Sequence, residues 1–337
     1  MISLLFWLLW VFLYRVADAA VEMGKDLRQH DNAAYYYWAL ECEGLPEMSW
    51  VRDTFGSSED FRQADYVIPS ESLQTLDGMP RELGLVHLAA DAPRCEYLHI
   101  DMPLMSEIMP YKGVRFVAMM LQVESRIAIE HGVEEHAMAC ISKMFAVARH
   151  CLDYGAGPME IDGVVSISIV DMACNEIASL VACNILSEQQ SGELLAELGW
   201  LQANSDPFRL QESISSFSEL SWPILRAICL EKVQDALGDL DPDEIVVDDF
   251  SPAIEEGLRL AKEQIDMAQV GVDEIVEHWR SPDAEAVMRE VIQRGDAGEY
   301  GPFGTSYSSY HECWKSERKI LDRVAEIREM LEAEAGQ

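Results

Sequence analysis

Two histidines near the middle of the chain are the residues whose types most suggest metal chemistry. His131 and His136 flank two glutamates, Glu134 and Glu135, and zinc in proteins takes imidazole and carboxylate ligands. Helical zinc motifs place their histidines four residues apart, so that both rings reach one ion. Here the spacing is five, about 140° around a helix, and Gly132 is expected to end a helix between them. The pattern favours His131 at a helix C-terminus and the glutamates at the next N-terminus.

An acidic segment, residues 239–250, has carboxylates at the first, third and fifth positions of a calcium-binding loop. Glu244 stands where such a loop needs a glycine, and Phe250 where it needs a bidentate glutamate. A helix start accounts for the same residues, with Asp241 as the cap, Pro242 in the first turn and Glu244 closing a capping box. We therefore predict a helix start that binds divalent cations only weakly, and the sequence assigns no metal or cofactor site.

Residues for nucleophilic or nucleotide chemistry occur without the spacing that such chemistry needs. No GxSxG turn, phosphate-binding P-loop or GxGxxG motif is present. A hydrolase requires a nucleophile held by an oriented base, and nothing in the spacing selects one. The sequence assigns no catalytic residue. The alternative is a metal-assisted hydrolase with a site assembled from His99, His131, His136 and nearby carboxylates.

The charge balance narrows the class of partner. Sixty acidic residues against 25 basic ones give a formal net charge of −35, which repels phosphate backbones and argues against nucleic-acid binding. Such a surface favours basic protein partners and cations. Eight cysteines are present without a CxxC pair. We expect buried thiols, with disulfides as the alternative if the chain is exported.

The N-terminus carries a strongly apolar run, residues 1–14, which ends at Arg15. It is shorter than a full membrane span of about 20 residues, but a signal anchor can extend it over residues 1–20. A cleaved signal peptide would use Ala17–Ala19 as its cleavage site. We expect an anchor, with the body outside the cytoplasm, and export after cleavage as the alternative. A buried helix is disfavoured because the run has no polar face.

Helix signals dominate the rest, so we predict an all-α protein. The expected form is an irregular multi-helix bundle or a series of helical hairpins, preceded by the N-terminal hydrophobic helix. Residues 21–203 form one helical domain, irregular over 45–111 because prolines interrupt it. Residues 204–337 form a second domain or continue the same bundle. Within 159–186 a short period-two alternation suggests a strand, but length favours a buried helix.

Local signals also predict particular helix boundaries. Four capping residues stand immediately before a proline, and each pair predicts a helix start: Asp206–Pro207, Asp241–Pro242, Ser251–Pro252 and Ser281–Pro282. Near the C-terminus, apolar residues follow a 4-3-4 spacing at Ile320, Val324, Ile327 and Leu331. This seam is too short for an independent coiled coil, so we expect it to pack on the chain's own helices.

Two stretches, residues 31–46 (DNAAYYYWALECEGLP) and 144–198 (MFAVARHCLDYG and onward), resemble segments of a group of proteins common in planctomycete-type bacteria. Members of that group pair an N-terminal membrane segment with an all-helical body, and the group has no assigned activity. The resemblance implies export and an all-α fold. Together with the residues, it leads to the expectation of a non-catalytic, membrane-anchored or exported helical protein with an interaction or structural role.

Overall fold

The computed structural model is all-α, as expected from the sequence. Helix accounts for 80% of the described residues, and no strand occurs among them. The structure describes residues 31–42, 44–95, 110–153, 160–216, 247–301, 304 and 307–335. The expected N-terminal helix of residues 1–20, His99 and most of the acidic segment 239–250 lie outside these ranges.

Thirteen helices occur in the described residues. In chain order they are α1 (Ala33–Cys42), α2 (Met48–Phe55), α3 (Ser58–Phe61), α4 (Ser70–Asp77), α5 (Pro80–Asp91), α6 (Tyr111–Glu130), α7 (Glu134–Asp153), α8 (Glu160–Ala182), α9 (Glu188–Ala203), α10 (Leu210–Ser215), α11 (Val247–His278), α12 (Ala284–Asp296) and α13 (Tyr307–Ala335). The chain divides into two compact units. The first consists of the residues up to Phe208 together with those from Glu317 onward, and the second consists of Arg209–Ser316.

The centre of the first unit is the hairpin of α6 and α7, and α8 packs against both helices. Helix α6 ends as predicted, with His131 as its C-cap and Gly132 at a φ of 66°. The amide of Val133 donates to the carbonyl of Ala128 at 2.8 Å, which is the long bond of a Schellman turn. Helix α7 then begins with two acidic residues in its first turn, so this tight connection fixes the register between α6 and α7.

Helix α8 is the most apolar helix of the described chain. It is long and apolar enough to cross a membrane, yet 67% of its most apolar 18-residue window is buried inside the protein. The strand-like alternation of residues 165–169 lies within this helix, as its length predicted. A helix that is buried around most of its surface is expected to be apolar on every side. Helix α8 departs from this expectation at a few buried polar residues, Asn175 and Glu176 among them.

A buried ion pair links α6 to α8. Arg126 and Glu176 have side chains 1% and 0% exposed, with Nε to Oε2 at 2.9 Å. The second guanidinium bond reaches Glu176 Oε1 at 3.0 Å, and Gln122 Nε2 donates to the same oxygen at 3.1 Å. The remaining guanidinium hydrogens go to backbone carbonyls in and after α3, including those of Phe61 at 2.8 Å and Gln63 at 2.9 Å. All five donors therefore have acceptors, as a buried guanidinium requires.

The capped-proline pairs predict helix starts less accurately than Gly132 predicts the end of a helix. Helix α10 begins at Leu210, three residues after Pro207, and α11 begins at Val247, upstream of Ser251–Pro252. Helix α12 starts at Ala284 with Asp283 as its N-cap, two residues beyond Pro282. Asp241–Pro242 lies outside the described residues. The C-terminal seam is confirmed as packing surface, since its four residues are at most 3% exposed: Ile320, Val324, Ile327 and Leu331.

Gly113 marks the closest approach of α1 to α6. A Cβ placed there would lie 2.4 Å from the backbone oxygen of Tyr37. We expect Gly113→Ala to lower the free energy of unfolding by about 1–3 kcal/mol, because two helix backbones would have to separate. Gly84→Ala is the matched control, since a Cβ in the middle of α5 would meet nothing within 4 Å and alanine should gain up to about 1 kcal/mol. Urea unfolding of both variants measures the difference, and equal stabilities would contradict the steric argument.

Candidate metal centre

The α6–α7 hairpin brings three metal-ligand side chains together. Glu124 of α6 and His136 and Cys140 of α7 have ligand atoms that all lie within 4.8 Å of one another. Cys140 Sγ is 3.9 Å from Glu124 Oε2 and 3.9 Å from His136 Nε2. In a tetrahedral zinc site, a sulfur ligand lies about 3.6 Å from a nitrogen or oxygen ligand, given the usual metal–ligand bond lengths. Small rotations of these side chains would therefore suffice to hold an ion.

The three residues differ in exposure in a way that suits a site at the protein edge. Cys140 is 1% exposed, the Glu124 side chain is 12% exposed, and His136 is exposed. An ion can thus approach from the His136 side and contact the buried sulfur. Burial, and then the charge of Glu124, raise the pKa of the Cys140 thiol to about 12. Without metal the thiol keeps its proton, and an ion bound there would have to displace it.

A second group of polar residues continues from Glu124 toward α5. His87 Nε2 lies 3.1 Å from Glu124 Oε2, the same oxygen that faces the Cys140 thiol. Lys143 Nζ lies 3.2 Å from His87 Nδ1 and 3.0 Å from Asp91 Oδ2. A continuous series of polar contacts therefore runs from Asp91 on the surface to His136. We call Glu124, His136 and Cys140 the ligand cluster, and His87, Asp91 and Lys143 the outer group.

The residues singled out from the sequence are only partly brought together. His136 joins the ligand cluster, whereas His131 caps α6 and its Nδ1 lies 2.8 Å from the carbonyl oxygen of Ile127. The group of possible ligands found in the described residues does not include Glu134 or Glu135. His99 lies outside the described residues. Of the residues expected for a metal-assisted hydrolase, the described part of the chain thus brings only His136 into the ligand cluster.

Sequence reasoning missed Glu124 and Cys140, although one signal for Cys140 is local. His136 and Cys140 stand four residues apart, the spacing that puts two ligands on one helix face. Comparing only histidine with histidine overlooks this pair. Glu124 has no local signal, because its position opposite Cys140 depends on the register of the hairpin. The pairing of His136 with Cys140 therefore follows from local sequence spacing, whereas the contribution of Glu124 follows from the tertiary structure.

Two other polar sites lie apart from the cluster, one fully hydrogen-bonded and one in which the buried Nε2 of His311 has no partner among the described residues. His150 is buried on α7; its Nε2 donates to the carbonyl oxygen of Ala92 at 3.0 Å, and its Nδ1 accepts from the Tyr37 hydroxyl at 2.9 Å. In the second unit, a cavity of about 460 Å³ is lined in part by Arg289, His311 and Glu312. Arg289 pairs with Glu285, and Glu312 with Lys315 at 2.8 Å. Neither site offers the mixed ligands of the cluster.

The fold and the cluster define an all-helical protein with a candidate transition-metal centre. No protein-family model, curated protein or solved structure matches the chain. The resemblance of residues 31–46 and 144–198 to the bacterial group therefore stays a prediction.

Proposed function

We propose that the chain is a non-catalytic helical protein that binds one divalent transition metal, zinc being the best suited, at Glu124, His136 and Cys140. The observation that carries the proposal is the meeting of one oxygen, one nitrogen and one sulfur ligand within 4.8 Å. Zinc accepts all three ligand types, whereas calcium and magnesium prefer oxygen alone. The ion would join α6 to α7 beside their tight turn, which is a structural role. Separately, the net charge of −35 supports attraction of cations and basic protein partners.

Metal titration of the purified chain tests this proposal. We expect the wild type to bind one Zn²⁺, and one Co²⁺ with a sulfur-to-cobalt charge-transfer absorption band. His136→Ala and Cys140→Ala should each weaken binding by about 100-fold or more, because loss of a direct ligand costs at least as much as loss of an outer-shell partner. His131→Ala and Cys174→Ala are matched controls, one removing a neighbouring exposed histidine and the other a buried thiol of α8. A wild type without binding, or ligand variants that bind like the controls, would overturn the proposal.

A metal-assisted hydrolase is the second candidate. Three protein ligands with an open fourth position are the arrangement of catalytic zinc sites, in which the fourth position holds water. The ligand cluster has three members, which favours this alternative over a hydrolase built on His99 and His131. Water at the fourth position of the ion would favour the hydrolase, whereas a fourth protein ligand would favour the structural role.

Membrane association through residues 1–20 is the other part of the proposal, with the body outside the cytoplasm or, after cleavage, exported. Its support is the apolar run of residues 1–14, which has no polar face. We expect deletion of residues 1–20 to move the protein from the membrane fraction to the soluble fraction without changing its helical circular dichroism spectrum. A full-length chain that fractionates as soluble, together with a deleted chain that fails to fold, would instead place the segment in the core.

A further inference from the structure

The side chain best placed to complete the ligand cluster is His87 of α5. Its Nε2 is 3.1 Å from Glu124 Oε2, and in a tetrahedral zinc site a nitrogen and an oxygen ligand are about 3.3 Å apart. His87 is outside the group of ligand atoms that lie within 4.8 Å of one another, so its ring has to turn toward the cluster. Its side chain is 33% exposed, which leaves room for that rotation.

The hydrogen bonds of His87 fix its tautomer in the metal-free state. An ammonium group only donates, so Lys143, 3.2 Å from Nδ1, requires Nδ1 to be an acceptor. The proton of the neutral ring is then on Nε2, where it is donated to Glu124. To bind a metal through Nε2, the ring must carry its proton on Nδ1, and that proton needs an acceptor in place of the Lys143 ammonium.

Asp91 supplies such an acceptor. It lies four residues after His87 on α5, hence on the same helix face, and it already holds Lys143 Nζ at 3.0 Å. Metal-binding histidines commonly donate their second ring nitrogen to a carboxylate, which fixes the ring and raises its basicity. Withdrawal of Lys143 would leave the Asp91 carboxylate available to accept a hydrogen bond from Nδ1 of His87.

We propose that metal binding recruits His87 as the fourth ligand and displaces Lys143 into solvent. The Cys140 thiol and Nε2 of His87 each release their proton to water, and Nδ1 of His87 takes one up from water and donates it in a hydrogen bond to Asp91. This inference rests on the proposed function and makes it more specific. The site is then closed, with two nitrogens, one oxygen and one sulfur, and it joins α5 to the α6–α7 hairpin. Lys143 disfavours metal binding, because its positive charge and its hydrogen bond to Nδ1 both oppose the metal-bound state.

Three substitutions test the arrangement: two are expected to weaken metal binding and one is expected to strengthen it. We measure Zn²⁺ affinity by competition and the Co²⁺ absorption spectrum at saturating metal for His87→Ala, Asp91→Asn and Lys143→Met. His87→Ala should weaken binding by at least about 10-fold and shift the cobalt spectrum, because one nitrogen ligand is replaced by water. Asp91→Asn should weaken binding by about 10-fold while keeping the wild-type spectrum. Lys143→Met should bind several-fold more tightly than the wild type.

Controls separate these effects from folding and from general charge. Glu82→Gln removes another acidic residue of α5, and Arg149→Met removes another cation of α7; neither should reproduce the changes in affinity. Circular dichroism confirms that each variant folds, and X-ray absorption of the zinc-loaded wild type should show two imidazole ligands. A wild type that binds metal while His87→Ala keeps the same cobalt spectrum, or one imidazole in the wild type, overturns the recruitment of His87 and leaves the proposed function standing. A wild type that binds no metal overturns both.

Discussion

Replacing Arg126 by methionine is expected to lower the free energy of unfolding by about 3–5 kcal/mol, because it leaves a buried carboxylate without its partner. Glu176 is 0% exposed, so water cannot replace the lost bonds. The backbone carbonyls of Phe61 and Gln63 lose their donors in the same substitution. Urea unfolding followed by circular dichroism gives the value.

The surface pair between Arg62 and Asp171 is the control for this prediction. It joins the same region of the chain to the same helix at 3.1 Å, but its side chains are 48% and 30% exposed. Arg62→Met should cost at most about 1 kcal/mol, as exposed pairs do. The double variant Arg126→Met, Glu176→Leu should recover only part of the loss, because the carbonyls stay unsatisfied. Equal effects of Arg126→Met and Arg62→Met would show that burial does not govern the pair.

Acid should destabilise the protein through His150 before most carboxylates are protonated. Burial lowers the pKa of His150 to about 4, whereas the unfolded chain binds this proton near pH 6.5. Between those values the unfolded state carries more protons, so the stabilising contribution is complete above pH 6.5 and is lost as the pH falls to about 4. Integrated over that window, the loss is about 3 kcal/mol.

A variant that does not titrate isolates this effect from the many acidic groups. His150→Gln should be less stable than the wild type at pH 7, and the difference should shrink by about 3 kcal/mol by pH 4. Unfolding by urea at several pH values measures both curves. Gly84→Ala changes no titrating group and should keep the shape of the wild-type profile. Parallel curves for the wild type and His150→Gln would exclude His150 as the source of the pH dependence.

The features that the sequence predicted correctly are those that local chemistry determines. Gly132 ends α6 because its φ of 66° is favourable for glycine and costly for most other residues. The C-terminal seam is buried as its spacing required, since residues three and four apart share one helix face. Both arguments use only neighbours in the chain, and neither depends on the rest of the fold.

The capped prolines show where local chemistry is insufficient. Ser251–Pro252 permits a helix start, but α11 already begins at Val247 and runs past the proline at the cost of one backbone hydrogen bond. Downstream, α11 buries Ile265, Val272 and Ile275, and the helix continues upstream from this packed part past the proline. A start signal therefore states where a helix is able to begin and does not by itself determine where it begins.

The candidate metal centre depends on tertiary structure to an even greater extent. His136 and Cys140 are paired by helical spacing alone, but Glu124 reaches them only through the turn at Gly132. His87 comes from α5, 37 positions before Glu124 in the sequence. No periodicity in one sequence specifies which residue of a distant helix will face a given ligand.

The close contact at Gly113 and the buried pair supply a criterion for recognising distant relatives of this chain. A glycine followed 13 residues later by arginine, and a glutamate 50 residues after that arginine, are positions at which substitution should lower stability. Surface residues are free to drift, so overall identity can fall below detection while this spacing persists. We expect a lineage that loses the arginine to lose the glutamate as well, and such paired replacement would be the evolutionary record of the contact.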